Sequence, residues 1–209
     1  KPGFAITSSM ICDGNLNTFR YVSDKYNIPY YYLDIPYEYN EDTEKYVAGQ
    51  LHEMVEFIQD IMKVKFDEDR FKEVIKIEND TKMYMRKFYK GLERKYFPNT
   101  LTLEMYRLFA SHLGIGRSET LKFYKMQAED IGKYPDYNGK RILWSHVMPF
   151  YSEVLKSYFN LNSDYQLLAC DYNLDNIEEM DYKHPYEALA KKFLQNKLNG
   201  PFQMKIENV

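Results

Sequence analysis

Two stretches near the start restrict the fold more than anything else in the chain: "GFAITSS" (3–9) and "PYYYLDI" (29–35). Each is a short apolar or aromatic run, of strand rather than helix length, and the second lies between Pro29 and Pro36. Between them Leu16, Phe19, Val22 and Tyr26 recur at helical spacing, with Asp13 or Asn15 placed to cap the helix. Strand, helix and strand with short joins predict a parallel pair linked by a right-handed crossover. The same order restarts at "RILWSHV", passes through a helix near 150–160 and closes on "YQLLACD". The chain therefore reads as α/β: one unit with a helical segment over 1–137, and the start of a second over 138–209.

The helical segment is periodic. Val47, Leu51, Met54, Val55, Ile58 and Met62 mark one face of a helix from about residue 42. Asp67, Glu68 and Asp69 suit the positive N-terminal end of the next helix. Its apolar positions carry it nearly to Tyr96, before Pro98. Thr100 or Thr102 caps a shorter helix through His112, and Ser118 is expected to cap another to about Ile131. "KYPDYNGK" reads as a linker. A last helix has Pro185 in its first turn and Asn199-Gly200 as its stop.

Composition narrows the function. With 44% hydrophobic and 28% charged residues, the chain has the means to bury a core, and 21 Tyr and 13 Phe make that core aromatic. A net charge of −3 gives no electrostatic footprint for nucleic acid and no polybasic membrane anchor. No apolar run has the length of a membrane span, and two cysteines make no disulfide framework. A cytoplasmic protein is the expectation. The opening on Lys1 and the ending on "NGPFQMKIENV", without a helix stop, read as the ends of a piece of a longer protein.

Ligands of open α/β sheets meet the carboxyl ends of the strands. Cys12, Asp13, Asp34, Ile35 and Pro36 fall there in the first unit, and Ser145, His146, Val147, Met148, Pro149, Cys170 and Asp171 in the second. Cys12 is a small buried hydrophobe, a nucleophile or a ligand to a soft metal. Both of the last two need a thiolate, which a helix N-terminus would favour. His146 either serves a turn or faces a ligand as donor or proton carrier. His112 lies with Met105, Leu108 and Phe109, as a hydrogen-bonded core histidine would. His52 reads as a helix-surface residue and His184 as a helix-start residue. Cys170 reads as packing. No C-x-x-C pair, phosphate-binding lysine loop or G-x-G-x-x-G is present.

The segment "TSSMICDG" resembles the T-x-x-x-x-C-D-G segment of the 2-hydroxyacyl-CoA dehydratase and benzoyl-CoA reductase family, in its D-component-type subunits. "NIPYYYLDIPYEYN", "FDEDRFKEVIKIENDTKMYMRKFY" and "GKRILWSHVMPF" resemble that family's second strand, a following helix and the strand opening its second domain. "DYKHPYEALAKKFLQN" and "NGPFQMKIENV" resemble its D-P-x-E-A-L-A-x-x-Y-L and R-I-E-N segments. The order and spacing of these segments, spanning nearly the whole chain, carry the resemblance.

The resemblance implies two Rossmann- or flavodoxin-like parallel-sheet units, both truncated here, in a family whose members are longer. It implies an iron–sulfur cluster, usually [4Fe-4S], in the full-length parent, with Cys12 as its clear ligand and Asp13 and Gly14 shaping the turn. Ser145 and His146 would line the opposite loop as catalytic candidates, with Pro149 beside them. The implied partners are a second dehydratase subunit, an ATP-dependent activator protein that injects one electron, and an acyl-CoA substrate. The expected chemistry is a radical dehydration, or a ring reduction in reductase-type relatives. With one ligand cysteine, the piece alone is expected to hold no cluster stably and to be inactive. The alternative is a non-catalytic module of the same fold that docks a partner or activator.

Overall fold

The computed structural model describes residues 2–10, 14–145, 149, 153–159, 164–175 and 177–200. The chain divides into two compact units, Lys1–Lys72 with Met180–Val209, and Glu73–Glu179. Among the described residues each contains one parallel pair of strands, so the α/β architecture expected from the sequence is the one observed.

In the first unit β1 (Ala5–Ser8) pairs in parallel with β2 (Tyr30–Leu33), Ala5 opposite Tyr30 and Ser8 opposite Leu33. The intervening helix α1 (Gly14–Tyr26) supplies the crossover. It begins at Gly14, so Asn15 lies inside it and is not its cap; Asp13 lies outside the described residues. α2 (Glu41–Met62) follows. Asn40 Oδ1 accepts the N–H groups of Asp42 and Thr43 at 3.0 and 2.9 Å, while Thr43 Oγ1 accepts the Asn40 N–H at 3.0 Å. This reciprocal box satisfies donors that the first helical turn leaves without partners. Leu33 and Ile35, at the end of β2, pack with Val47, Ala48 and Leu51 of α2 and with Tyr186, Ala190 and Leu194 of α7 (Pro185–Leu194). Full burial of each larger aliphatic here contributes about 1.5–3 kcal/mol. α7 stops at Leu194, short of the expected Asn199-Gly200, because Asn196 takes over the backbone: its Oδ1 accepts the Leu198 N–H at 2.8 Å and its carbonyl the Asn199 N–H at 2.9 Å.

α3 (Glu68–Leu92) starts as expected, with Asp67 Oδ1 accepting the Arg70 N–H at 2.9 Å. It ends earlier than its periodicity predicts. The chain beyond Leu92 leaves the helix to pair with residues 135–137: Tyr96 N–H donates to the Pro135 carbonyl at 2.9 Å, and Tyr137 N–H to Arg94 at 2.8 Å. The stretch read as a linker is therefore partly structural, and Tyr137 in it is buried. Tertiary pairing overrides helix propensity here.

The second unit holds α4 (Leu101–His112), α5 (Ser118–Asp130), β3 (Lys140–Trp144), α6 (Glu153–Phe159) and β4 (Tyr165–Cys170). Thr100 caps α4, accepting the Leu103 N–H at 3.0 Å. Ser118 opens α5 but does not cap it; Arg117 holds that position, and the Ser118 hydroxyl turns to Glu119. β3 and β4 run parallel, with an irregularity between Ile142 and Leu143. Phe88, Leu92, Phe97, Ala128 and Ile131 form one core cluster and Leu101, Leu167 and Cys170 another. His112 is exposed rather than in the core, although its Nδ1 lies 3.1 Å from the Leu108 carbonyl and 2.9 Å from Ser111 Oγ. The buried side of α4 is instead Leu101, Glu104, Arg107 and Ser111. No described helix is long and apolar enough to cross a membrane.

Candidate functional site

The carboxyl ends of both strand pairs hold the candidate residues. In the first unit the chain leaves β1 through Ser9, which is fastened to the end of β2. Ser9 Oγ accepts the Ile35 N–H at 2.7 Å, and its own proton has Asp34 Oδ1 at 3.4 Å and the Ile35 carbonyl at 3.3 Å within reach. Asp34 also accepts the hydroxyls of Tyr32 at 3.1 Å and Tyr46 at 3.2 Å. Gln50 of α2 completes the clamp, donating to the Asp34 carbonyl and accepting its N–H, both at 2.8 Å. Burial, followed by the Asp34 charge, raises the Tyr46 pKa. Tyr32 and Tyr46 share a groove of about 490 Å³ with Tyr30, Tyr31 and Gln50. Burial, with Glu53 adding to it, pushes the Tyr31 hydroxyl up to about 12. Both shifts move the Tyr31 and Tyr46 hydroxyls away from forming a phenolate near neutrality.

Gly14 is the first residue of α1, exposed, its carbonyl accepting the Thr18 hydroxyl at 3.2 Å. Cys12 and Asp13, the proposed ligand and its neighbour, lie outside the described residues, as does His146.

In the second unit Ser145 follows β3, and the structure brings it to Asp171, which follows β4: Ser145 Oγ donates to Asp171 Oδ2 at 3.1 Å. Asp171 Oδ1 accepts the Tyr172 N–H at 2.8 Å, with Cys170 Sγ at 3.5 Å. Cys170 itself is fully buried. Burial pushes its thiol up to about 12, against a smaller lowering by the Tyr172 backbone, so it stays protonated and packs as the sequence predicts.

Beneath this edge lies a network that the apolar periodicity of the sequence conceals. Glu104 of α4 has no exposed surface. Its Oε2 accepts the Cys170 N–H at 2.9 Å and Asn173 Nδ2 at 2.8 Å, and its Oε1 accepts Asn99 Nδ2 at 2.8 Å and the Arg107 guanidinium. Arg107 lies over Phe88 and Phe97, 4.7 and 5.1 Å from the ring centroids. The Glu104 lone pairs of this buried charge pair are hydrogen-bonded, whereas Nε and one terminal nitrogen of Arg107 are buried without a hydrogen-bond partner and face the aromatic rings instead. Asn99 and Gln166 tie β4 to the preceding loop: Asn99 Nδ2 donates to the Leu167 carbonyl at 2.9 Å, and Gln166 Oε1 accepts the Phe97 N–H at 2.9 Å. The available signal was the i, i+3 pairing of Glu104 with Arg107 just after Asn99.

The described residues contain no group of three or more His, Cys, Asp or Glu side chains arranged to hold a metal ion. Cys170, the only cysteine among them, is fully buried, so they do not fit an iron–sulfur cage by themselves. A cluster would depend on ligands outside these residues. A second groove, of about 760 Å³ and edged by Lys87, Lys90 and Arg94, includes none of the strand-end residues.

Parallel strand pairs joined by helices define an α/β protein, and in open α/β sheets the carboxyl ends of the strands are where ligands bind. The chain matches the family "2-hydroxyglutaryl-CoA dehydratase, D-component" over residues 1–209, and it belongs to that family. It is similar to the (R)-phenyllactyl-CoA dehydratase alpha subunit of Clostridium sporogenes, 26% identical over 139 residues that cover 62% of this chain and 33% of that protein. It is also similar to (R)-2-hydroxyglutaryl-CoA dehydratase, subunit alpha, of Acidaminococcus fermentans, 30% identical over 84 residues that cover 38% of this chain and 18% of that protein. The matched regions thus span a third or less of the length of these curated relatives.

Proposed function

We propose that the full-length protein is the iron–sulfur subunit of a 2-hydroxyacyl-CoA dehydratase, a lyase that removes water from an acyl-CoA thioester, and that this chain contributes its first α/β unit and the start of the second. The observation that carries this reading is the family match along the whole chain, joined by two relatives named as dehydratase alpha subunits. The proposed cofactor is a [4Fe-4S] cluster with Cys12 as a ligand, and a one-electron radical dehydration is the proposed reaction class. The proposed partners are a second dehydratase subunit and an ATP-dependent activator.

The chain's own residues take defined parts in this reading. The Ser9–Asp34–Gln50 clamp fixes the strand ends from which the chain runs on toward Cys12. Asp13 and Gly14 are the proposed neighbours of that ligand, Gly14 being the first residue of α1. Ser145, with His146 and Pro149 beside it in sequence, lines the substrate side of the second unit. A cluster would supply a low-potential electron when bound; binding and orienting the thioester falls to the protein.

The test is anaerobic reconstitution of the full-length subunit with iron and sulfide. The reading expects broad visible absorption and iron content in the wild type, both lost in Cys12→Ala. A colourless wild type, or a Cys12→Ala variant that retains full iron and colour, would contradict it. The first result would favour a module that only docks a partner.

A further inference from the structure

The edge of β3 and β4 carries two carboxylates, one behind the other, with different duties. Glu104 is completely buried and holds the N–H of Cys170, the last residue of β4. Asp171 is the next residue, and it holds the Ser145 hydroxyl across the gap between the two strands. We propose that Asp171 is a positioning residue that commits the Ser145 proton, so that Ser145 recognises a hydrogen-bond donor on the substrate, and that Glu104 fixes Asp171 through the Cys170 amide. This rests on the reading of that edge as substrate-facing, and it deepens that reading by naming the group recognised.

The argument is one of donors and acceptors. A serine hydroxyl has one proton and two lone pairs. At 3.1 Å from Asp171 Oδ2 that proton is spoken for, because a carboxylate can only accept. The exposed Ser145 oxygen then offers a ligand only lone pairs, and it takes a donor: an O–H or N–H, never a carbonyl. The donor at the reacting end of a 2-hydroxyacyl thioester is its 2-hydroxyl. The neighbouring Asp171 charge also disfavours a ligand anion at that point. The bond between Asp171 and Ser145 also selects one serine rotamer among three. Asp171 is itself held by the Tyr172 N–H at 2.8 Å, and its backbone starts from an amide anchored on a carboxylate that cannot move without exposing a buried charge.

Asp171→Asn reverses this polarity. With its oxygen retained by the Tyr172 N–H, its amide nitrogen donates to Ser145 Oγ, which frees the serine proton to point elsewhere. The experiment uses the full-length subunit assembled with its partner and activator, assayed on (R)-2-hydroxyglutaryl-CoA and (R)-phenyllactyl-CoA. Ser145→Ala and Asp171→Asn should each raise KM by up to roughly tenfold, the scale of one hydrogen bond to the substrate, with a smaller change in kcat. The double variant should be no worse than Ser145→Ala, because Asp171 acts through Ser145. Independently of turnover, Glu104→Gln should accelerate hydrogen exchange in the peptide covering 165–174, while Asp171→Asn leaves its core amides protected.

Additive losses in the double variant, or an Asp171→Asn enzyme equal to wild type beside an impaired Ser145→Ala, would overturn the positioning role and leave the site standing. A Ser145→Ala enzyme with wild-type KM would remove the site reading and this inference together. Unchanged exchange at 165–174 in Glu104→Gln would remove the anchoring role of Glu104.

Discussion

The two strand-end regions solve one problem with opposite materials. In the first unit the end of β2 rests on an apolar floor: Ile35 packs with Val47 and Leu51 of α2 and Ala190 of α7, and the polar clamp of Ser9, Asp34 and Gln50 lies on top. In the second unit the apolar contacts of Leu101, Leu167 and Cys170 are joined by a polar floor. Glu104, Arg107, Asn99 and Asn173 are all buried: Glu104 takes the Cys170 N–H at the end of β4, and the other three donate to Glu104. An apolar floor tolerates small shifts in its contacts, since burial is non-directional. A hydrogen-bonded carboxylate fixes one amide in one place and fails abruptly when a partner is lost. The difference teaches where position matters: the polar floor lies under Asp171 and Ser145.

Breaking each floor should show the contrast. Glu104→Ala strands the Arg107 charge in the interior and is expected to destabilise the protein by about 3–5 kcal/mol, read by denaturant unfolding of the full-length subunit. Replacing the pair together, Glu104→Leu with Arg107→Met, should be milder than Glu104→Ala, since no charge is left unpaired; an equal or greater loss would contradict the pairing argument. Leu51→Ala in the apolar floor should cost about 2–4 kcal/mol through lost burial and a residual cavity, without the abrupt change in exchange at the strand end. Asn40→Ala, which removes the α2 capping box, should cost about 1 kcal/mol in the same unfolding experiment.

The smallest effect is a surface one. The hydrogen bond and charge of Asp181 raise the His184 pKa above 6.5, while His184 and the Lys183 backbone lower that of Asp181 below 3.8. The His184 contribution is full below the unfolded histidine value and fades as pH rises through the folded one. The Asp181 contribution is present above the unfolded carboxyl value and fades as pH falls through the folded one. A proton resonance titration of His184 should therefore have its midpoint above 6.5 and fall in Asp181→Asn; an unchanged midpoint would show that the pair does not form in solution.

These contrasts also explain what could be read from the chain alone. The strand pairs and their parallel sense were legible because "AITS", "YYYL", "RILW" and "YQLLAC" are short apolar runs separated by helical spacing. α2 was legible because its apolar stripe faces an apolar floor. α4 misled for the converse reason: its apolar stripe through Met105, Leu108 and Phe109 is not its buried side, which carries Glu104 and Arg107 instead. Periodicity reports burial only where burial is apolar. The early end of α3 and the pairing of residues 94–96 with 135–137 depend on partners distant in sequence, which no local pattern encodes. At the site, position alone singled out Ser145, Asp34 and Asp171, but not the bonds that join Ser145 to Asp171 or Ser9 to Asp34.

The most direct test of the whole account is turnover by the full-length subunit with its partner subunit, activator, ATP and reductant, given (R)-2-hydroxyglutaryl-CoA or (R)-phenyllactyl-CoA under anaerobic conditions. The account predicts ATP-dependent loss of water to the corresponding 2,3-unsaturated acyl-CoA, abolished by Cys12→Ala. A fully assembled, cluster-loaded complex that leaves both thioesters and a panel of other 2-hydroxyacyl-CoAs unchanged would contradict it.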